Sequence, residues 1–217
     1  MSTKNNQINV VICDDHQVVL EGLRLIFNQS ENIHITGIFH DGATMISFLE
    51  TAATRPDVIV VDAHLGKNEN GLDLINKVKD KSLYRWILFS SYVDKYLVFQ
   101  AEKYGFQACL SKEVPASVML SIIHEVEPRS FICYPAISRD ENSRKKIESI
   151  LEAKKGLTKR ELEVMSMILT GENSKECADK LHISIYTFET HKKNIFRKFD
   201  INSTNELMRI AMDFNFN

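Results

Sequence analysis

Five short apolar runs, Ile8–Cys13, Ile33–Phe39, Val58–Val61, Ile87–Phe89 and Ala108–Leu110, alternate with amphipathic stretches over the first half of the chain. The runs have the length of strands. Between them apolar residues recur at helical spacing, as in Leu20, Leu23, Ile26 and Phe27, or Leu72, Ile75 and Val78. A five-fold βα alternation leaves few folds open. Parallel neighbours need crossover connections, those crossovers are right-handed, and the helices they carry must cover both faces of the sheet. The expected fold is α/β, a doubly wound five-stranded parallel sheet, flavodoxin-like in layout. Such sheets gather ligands at the carboxyl ends of their strands.

The alternation stops near Val126. Pro128 and Pro135 follow, then a charged segment, Arg139–Lys155, with Ile147, Ile150 and Leu151 at helical spacing and Gly156 as a stop signal. From Leu157 to Asn217 only helical patterns remain, four of them. Residues 1–126 therefore read as one domain, 127–156 as a linker containing a helix, and 157–217 as a smaller all-α domain. A chain of 217 residues is long enough for two such cores.

Composition narrows the function less than the pattern narrows the fold. Lys and Arg number 11 against 15 Asp and Glu over residues 1–126, seven against five over 127–156, and nine against nine over 157–217. Neither domain is strongly basic, so charge alone does not point to nucleic acid, and any such case must rest on local placement. Cys13, Cys109, Cys133 and Cys177 are scattered, without a C-x-x-C pair or histidines at zinc-ligand spacing, and read as reduced thiols. No apolar run is long enough to span a bilayer and Met1–Gln7 is polar. A cytoplasmic protein without a membrane partner is expected.

Asp14 and Asp15 follow the first strand and Asp62 follows the third, so the sheet brings three carboxylates to one edge. Their mutual repulsion is tolerable around a hard dication, and Mg²⁺ takes carboxylate oxygens while leaving positions for phosphate. Ser90 ends the fourth strand and Lys112 lies just beyond the fifth, adding a hydroxyl and a cation. Any one of these residues alone reads as a turn or cap. Together they describe a phosphoryl site, with Asp62 as a nucleophile that needs no general base and Lys112 and the metal stabilising the transferring group.

Residues 8–126 resemble a receiver domain, with Asp14, Asp15, Asp62, Ser90 and Lys112 each at the strand end that family uses. Asp14-Asp15-His16 with Glu21-Gly22-Leu23 resembles the NarL/FixJ type of two-component response regulator in particular. The resemblance implies that Asp62 is the phosphoacceptor, that Asp14, Asp15 and Asp62 bind Mg²⁺, that Ser90 is the switch hydroxyl and that Lys112 contacts the phosphoryl group. Two positions depart from the family. Cys109 stands where an aromatic switch residue is usual, and Gly66 stands where proline is common, in a loop to Gly71 that is one residue longer.

In the second domain, Thr158 and Glu161 form a capping-box pattern at a helix start, and Leu162, Met165, Met167, Ile168 and Leu169 supply an apolar side. A short helix over Lys175–Leu181, a tight turn at His182-Ile183 and a helix capped by Ser184 and running to about Phe199 give a helix-turn-helix. On that last helix Phe188, Ile195 and Phe199 share one face, and Tyr186, Glu189, Thr190, Lys193 and Arg197 share the other. An exposed polar face alone is ordinary. However, Leu157–Leu207 resembles the LuxR-type domain through Leu157-Thr158-x-Arg160-Glu161, Gly171, Ala178, Leu181, Ser184, Thr187, His191, Ile195 and Lys198. That resemblance implies that the helix from Ser184 enters the major groove. Glu189, Thr190 and Lys193 would face base edges, and Lys175, Thr187, Lys192, Arg197 and Lys198 are candidate phosphate contacts. Phe188 and Phe199 stand where aliphatic residues are usual, which implies local repacking.

The function expected is that of a DNA-binding transcriptional response regulator rather than an enzyme. Its partners would be a sensor histidine kinase or phosphotransfer protein, a double-stranded operator, and a second copy of the chain when active. Two alternatives stay open. A transcription factor whose receiver ignores phosphate would fit Cys109, and an Mg-dependent aspartate-nucleophile phosphatase would also carry an Asp after a parallel strand. The phosphatase reading lacks the D-x-D usual after the first strand.

Overall fold

A computed structural model of the chain describes residues 7–66, 69–128, 130–137, 141–214 and 216. It divides into two compact units, Met1–Ser138 and Arg139–Asn217. The first runs β1 (Ile8–Cys13), α1 (Gln17–Phe27), β2 (Ile33–Phe39), α2 (Gly42–Thr51), β3 (Val58–Asp62), β4 (His64–Leu65), β5 (Glu69–Asn70), α3 (Gly71–Lys77), β6 (Arg85–Ser90), α4 (Lys95–Tyr104), β7 (Ala108–Ser111), α5 (Ala116–Glu125) and β8 (Ile132–Tyr134). The main sheet has the order β2-β1-β3-β6-β7-β8 and all its pairings are parallel. The short β4 and β5 pair antiparallel as a separate hairpin.

Strand alternation sends successive side chains to opposite faces. Val11, Cys13, Ile59, Val61, Trp86, Leu88 and Cys109 pack on one face with Met45 of α2, Leu74 and Ile75 of α3, and Val98 and Ala101 of α4. Val10, Ile12, Val58, Val60, Ile87, Phe89 and Leu110 pack on the other with Leu20, Leu23 and Phe27 of α1 and Met119, Ile122 and Ile123 of α5. Both faces are covered, which is why the central strands read as unbroken apolar runs.

The sheet has six strands rather than the five expected. Ile132–Tyr134, within the stretch read as linker, pairs with β7 through Ala108↔Ile132, Cys109↔Cys133 and Leu110↔Tyr134. Three half-buried residues on a sheet edge are too few to show an alternation, and Pro135 ends them at once.

The second unit is helical: α6 (Glu141–Lys155), α7 (Lys159–Leu169), α8 (Ser174–Lys180), α9 (Ile185–Phe199) and α10 (Thr204–Asp213). Local chemistry sets the starts of α7, α8 and α9. Thr158 and Glu161 form a reciprocal capping box on α7, Asn173 and Glu176 form another on α8, and Ser184 accepts from the amide of Thr187 on α9. Each such cap is worth about 1 kcal/mol. Between α8 and α9, His182 takes a left-handed φ of 53° and the amide of Ile183 returns to the carbonyl of Ala178, a Schellman-type turn. Val164, Met165, Ile168, Ala178, Phe188 and Ile195 are buried in this unit. Phe199 is accommodated by an aromatic cluster, its ring 6.1 Å from Phe216, which lies 5.6 Å from Phe214.

Candidate functional site

Register builds the acidic site. Cys13 pairs with Val61, so the residues that follow them, Asp14 and Asp62, emerge side by side at the carboxyl edge. Ser90 ends β6, and the amide of Lys112 donates to the Ser90 carbonyl at 2.8 Å, which brings the lysine to the same edge. Its ammonium lies 2.7 Å from Asp14 Oδ2 and 3.0 Å from Asp62 Oδ2. Asp14 and Asp62 are almost fully buried, whereas the Asp15 side chain is 30 % exposed and receives the Gly66 amide at 2.9 Å.

Burial raises the Asp62 carboxyl above its ordinary value, and the neighbouring charge of Asp14 adds to the effect; Lys112 opposes both. Burial alone would lower the Lys112 ammonium, but its bonds to Asp14 and Asp62 outweigh that and leave it raised. The lysine therefore stays a cation between two carboxylates. His16, singled out from sequence only as part of a family signature, joins the cluster. Its Nδ1 is 2.9 Å from Asp15 Oδ1 and 3.2 Å from Asp14 Oδ1. Ligand atoms of Asp14, Asp15, His16 and Asp62 lie within 4.8 Å of one another. Metal–oxygen bonds of about 2.0 to 2.1 Å, as octahedral Mg²⁺ requires, place cis ligand oxygens about 3 Å apart and trans ones about 4 Å apart. Three hard carboxylates within 4.8 Å suit a small dication after a slight inward movement. Lys112 brings one positive charge to the three carboxylates of Asp14, Asp15 and Asp62, which leaves negative charge for such an ion to meet.

Glycines and backbone bonds shape the surrounding loops. Gly71 packs so close to Asp62 that a Cβ on it would overlap the Asp62 carbonyl oxygen, so only glycine fits. Gly66 has φ +61°, which a proline ring forbids, and the β4–β5 hairpin occupies the lengthened loop. The Ser90 hydroxyl donates to the Tyr92 carbonyl at 2.8 Å and so turns into its own loop. Cys109 is fully buried in the sheet core, where burial pushes its thiol up to about 12, with Cys133 next in effect. It is a packing residue without reactive character.

In the second unit α9 buries Phe188, Ile195 and Phe199 and exposes Tyr186, Glu189, Thr190, Lys193 and Arg197. Lys175 on α8 is exposed, Thr187 bonds the Ser184 hydroxyl at 2.7 Å, and Lys192 lies 3.8 Å from Glu189. Lys198, a candidate phosphate contact, also has partners within the unit. Its ammonium is 2.6 Å from Glu161 Oε2 and 2.8 Å from the Gly156 carbonyl, which engages two of its three hydrogens inside the unit. No helix among the described residues is long and apolar enough to cross a membrane.

Comparison with known proteins bears on both units. Residues 10–124 match the response regulator receiver domain, and residues 155–211 match the bacterial regulatory proteins of the luxR family. Oxygen regulatory protein NreC of Staphylococcus carnosus is 27 % identical over 212 residues, spanning 94 % of this chain and 97 % of that protein. NreC of Staphylococcus epidermidis is 26 % identical over 213 residues, spanning 94 % and 97 %. Among solved structures, an RcsB–DNA complex aligns with a TM-score of 0.59 at 22 % identity, covering 96 % of this chain and 99 % of that one. RcsB from Salmonella enterica serovar Typhimurium, bound to promoter DNA with the phosphomimetic BeF3−, gives the same TM-score, identity and coverage. At that identity the structures speak for the fold. The receiver match alone covers more than half of the chain. The chain belongs to the response regulators of the NarL/FixJ type, a receiver domain followed by a LuxR-type DNA-binding domain.

Proposed function

We propose that this chain is a cytoplasmic transcription regulator switched by phosphorylation of Asp62. The observation that carries the reading is the Lys112 ammonium bound to both Asp14 and Asp62 at the sheet edge. A sensor histidine kinase or phosphotransfer protein would present the phosphoryl group. Asp62 Oδ forms the new O–P bond as the donor's P–N bond breaks, and the leaving imidazole keeps the electron pair. Mg²⁺ held by Asp14, Asp15 and Asp62 would neutralise charge on the transferring oxygens when bound. Lys112 meets the remaining charge.

The product adds about −1.5 to −2 charges at neutral pH. An added phosphoryl oxygen competes with the Tyr92 carbonyl for the Ser90 hydroxyl, and this exchange of partners would be the local switch. The output is a homodimer whose two α9 helices match the half-sites of a two-fold operator. Glu189, Thr190 and Lys193 would meet base edges, and Lys175, Thr187, Lys192 and Arg197 would meet phosphates. Lys198, already bonded to Glu161 and the Gly156 carbonyl, would meet a phosphate through its remaining hydrogen.

Size and DNA affinity, measured with and without beryllofluoride, test this reading. A shift to dimer with tighter operator binding is expected. Unchanged size and affinity would refute phosphate control. DNA binding that persists unchanged would favour the alternative of a phosphate-insensitive receiver, which draws on the burial of Cys109 at the switch position.

A further inference from the structure

We propose that Tyr186 is a specificity-determining residue that reads a thymine methyl group in the major groove, an inference that rests on the DNA-binding role of α9. Tyr186 is 81 % exposed, and it shares the outward face with Glu189, Thr190 and Lys193, three, four and seven residues further on. Ile185 beside it is 52 % exposed. Two large apolar side chains thus stand uncovered on the first turn of the helix, the end by which recognition helices approach base edges. A scattered exposed apolar residue needs no explanation, but this one lies opposite the buried stripe of Phe188, Ile195 and Phe199.

Thr190 adds the second half of the argument. Its hydroxyl donates to the carbonyl of Tyr186 at 2.8 Å, so its proton is committed to the backbone and is not offered to a base. The tyrosine and the threonine, one helical turn apart, form an apolar step beside the polar positions Glu189 and Lys193. In the major groove the apolar feature of a base pair is the C5-methyl of thymine. The tyrosine hydroxyl offers a competing role as a phosphate contact, and the two roles respond differently to substitution.

The test uses the full-length protein with beryllofluoride and duplexes selected by it from a random pool. Each thymine of the selected half-site is replaced in turn by deoxyuridine, which removes only the methyl. Wild type should lose about fourfold in affinity at one thymine per half-site, the worth of burying one methyl-sized group. Tyr186→Phe should keep that discrimination, and Tyr186→Ala should bind more weakly and become indifferent to deoxyuridine. Indifference of the wild type at every thymine would overturn the proposal, as would discrimination that survives in Tyr186→Ala. A uniform loss in Tyr186→Phe would assign the residue to a phosphate instead. Failure to enrich any duplex would refute the DNA-binding reading itself, a result distinct from indifference to the methyl.

Discussion

Replacing Glu161 with glutamine removes the charge from a carboxylate that is 4 % exposed and bonded by three donors. The Thr158 amide and hydroxyl approach it at 2.7 and 2.8 Å, and the Lys198 ammonium at 2.6 Å. Lys198 also bonds the Gly156 carbonyl, so one carboxylate joins the start of α7 to the end of α9 and to the chain leaving α6. Burial works to raise the Glu161 carboxyl, but Lys198 and Thr158 together outweigh it and hold the group at about 2, against an ordinary 4.5. At about 1.4 kcal/mol per pH unit the difference corresponds to at most about 3 kcal/mol. The lysine is 28 % exposed and its charge is partly screened, so a loss of about 1 to 2 kcal/mol at neutral pH is expected. A carboxyl held low in the folded state stabilises it above the unfolded value, and that contribution disappears as pH falls from about 4.5 through about 2. Urea unfolding followed through the methyl NMR signals of Ile168 and Ile195 isolates this unit from the one containing Trp86. Equal midpoints for wild type and Glu161→Gln at pH 7, or a difference that persists undiminished at the acid end, would refute the reasoning.

Three further outcomes follow from the two sites. Gly71→Ala forces a Cβ against the Asp62 carbonyl and should cost at least about 2 kcal/mol, read as a lower urea midpoint of Trp86 fluorescence; an unchanged midpoint contradicts the close approach. His64 and Tyr92 stand exposed two residues beyond Asp62 and Ser90, so replacing both with alanine should admit water and shorten the lifetime of the phosphorylated form; an equal or longer lifetime means neither shields it. Lys193→Ala should cost about 1 to 3 kcal/mol on a selected duplex and much less on scrambled ones, whereas a uniform loss would make it a phosphate contact.

Much of this was legible because it is local or periodic. The alternation of apolar runs dictates the parallel sheet, and the sheet in turn brings Asp14, Asp62, Ser90 and Lys112 to one edge, since each directly ends or follows a strand. The capping box of Thr158 and Glu161 is likewise a short-range pattern. What escaped is what depends on distant partners. Nothing near Lys198 in the chain announces that Glu161, 37 residues earlier, will claim its ammonium. β8 is three residues long and gains its identity only from β7 beside it. The direction of the Ser90 hydroxyl and the approach of His16 to three carboxylates are matters of rotamer and loop path, which residue type does not encode.

The most direct test of the central claim is the intact mass of wild type and Asp62→Asn after incubation with Mg²⁺ and a small phosphodonor such as acetyl phosphate. Wild type should gain the mass of a single phosphoryl group, and Asp62→Asn, which keeps the side-chain size but loses the nucleophile, should gain none. A variant that is labelled as fully as the wild type would contradict the assignment of Asp62 and, with it, the switch built around Lys112 and Ser90.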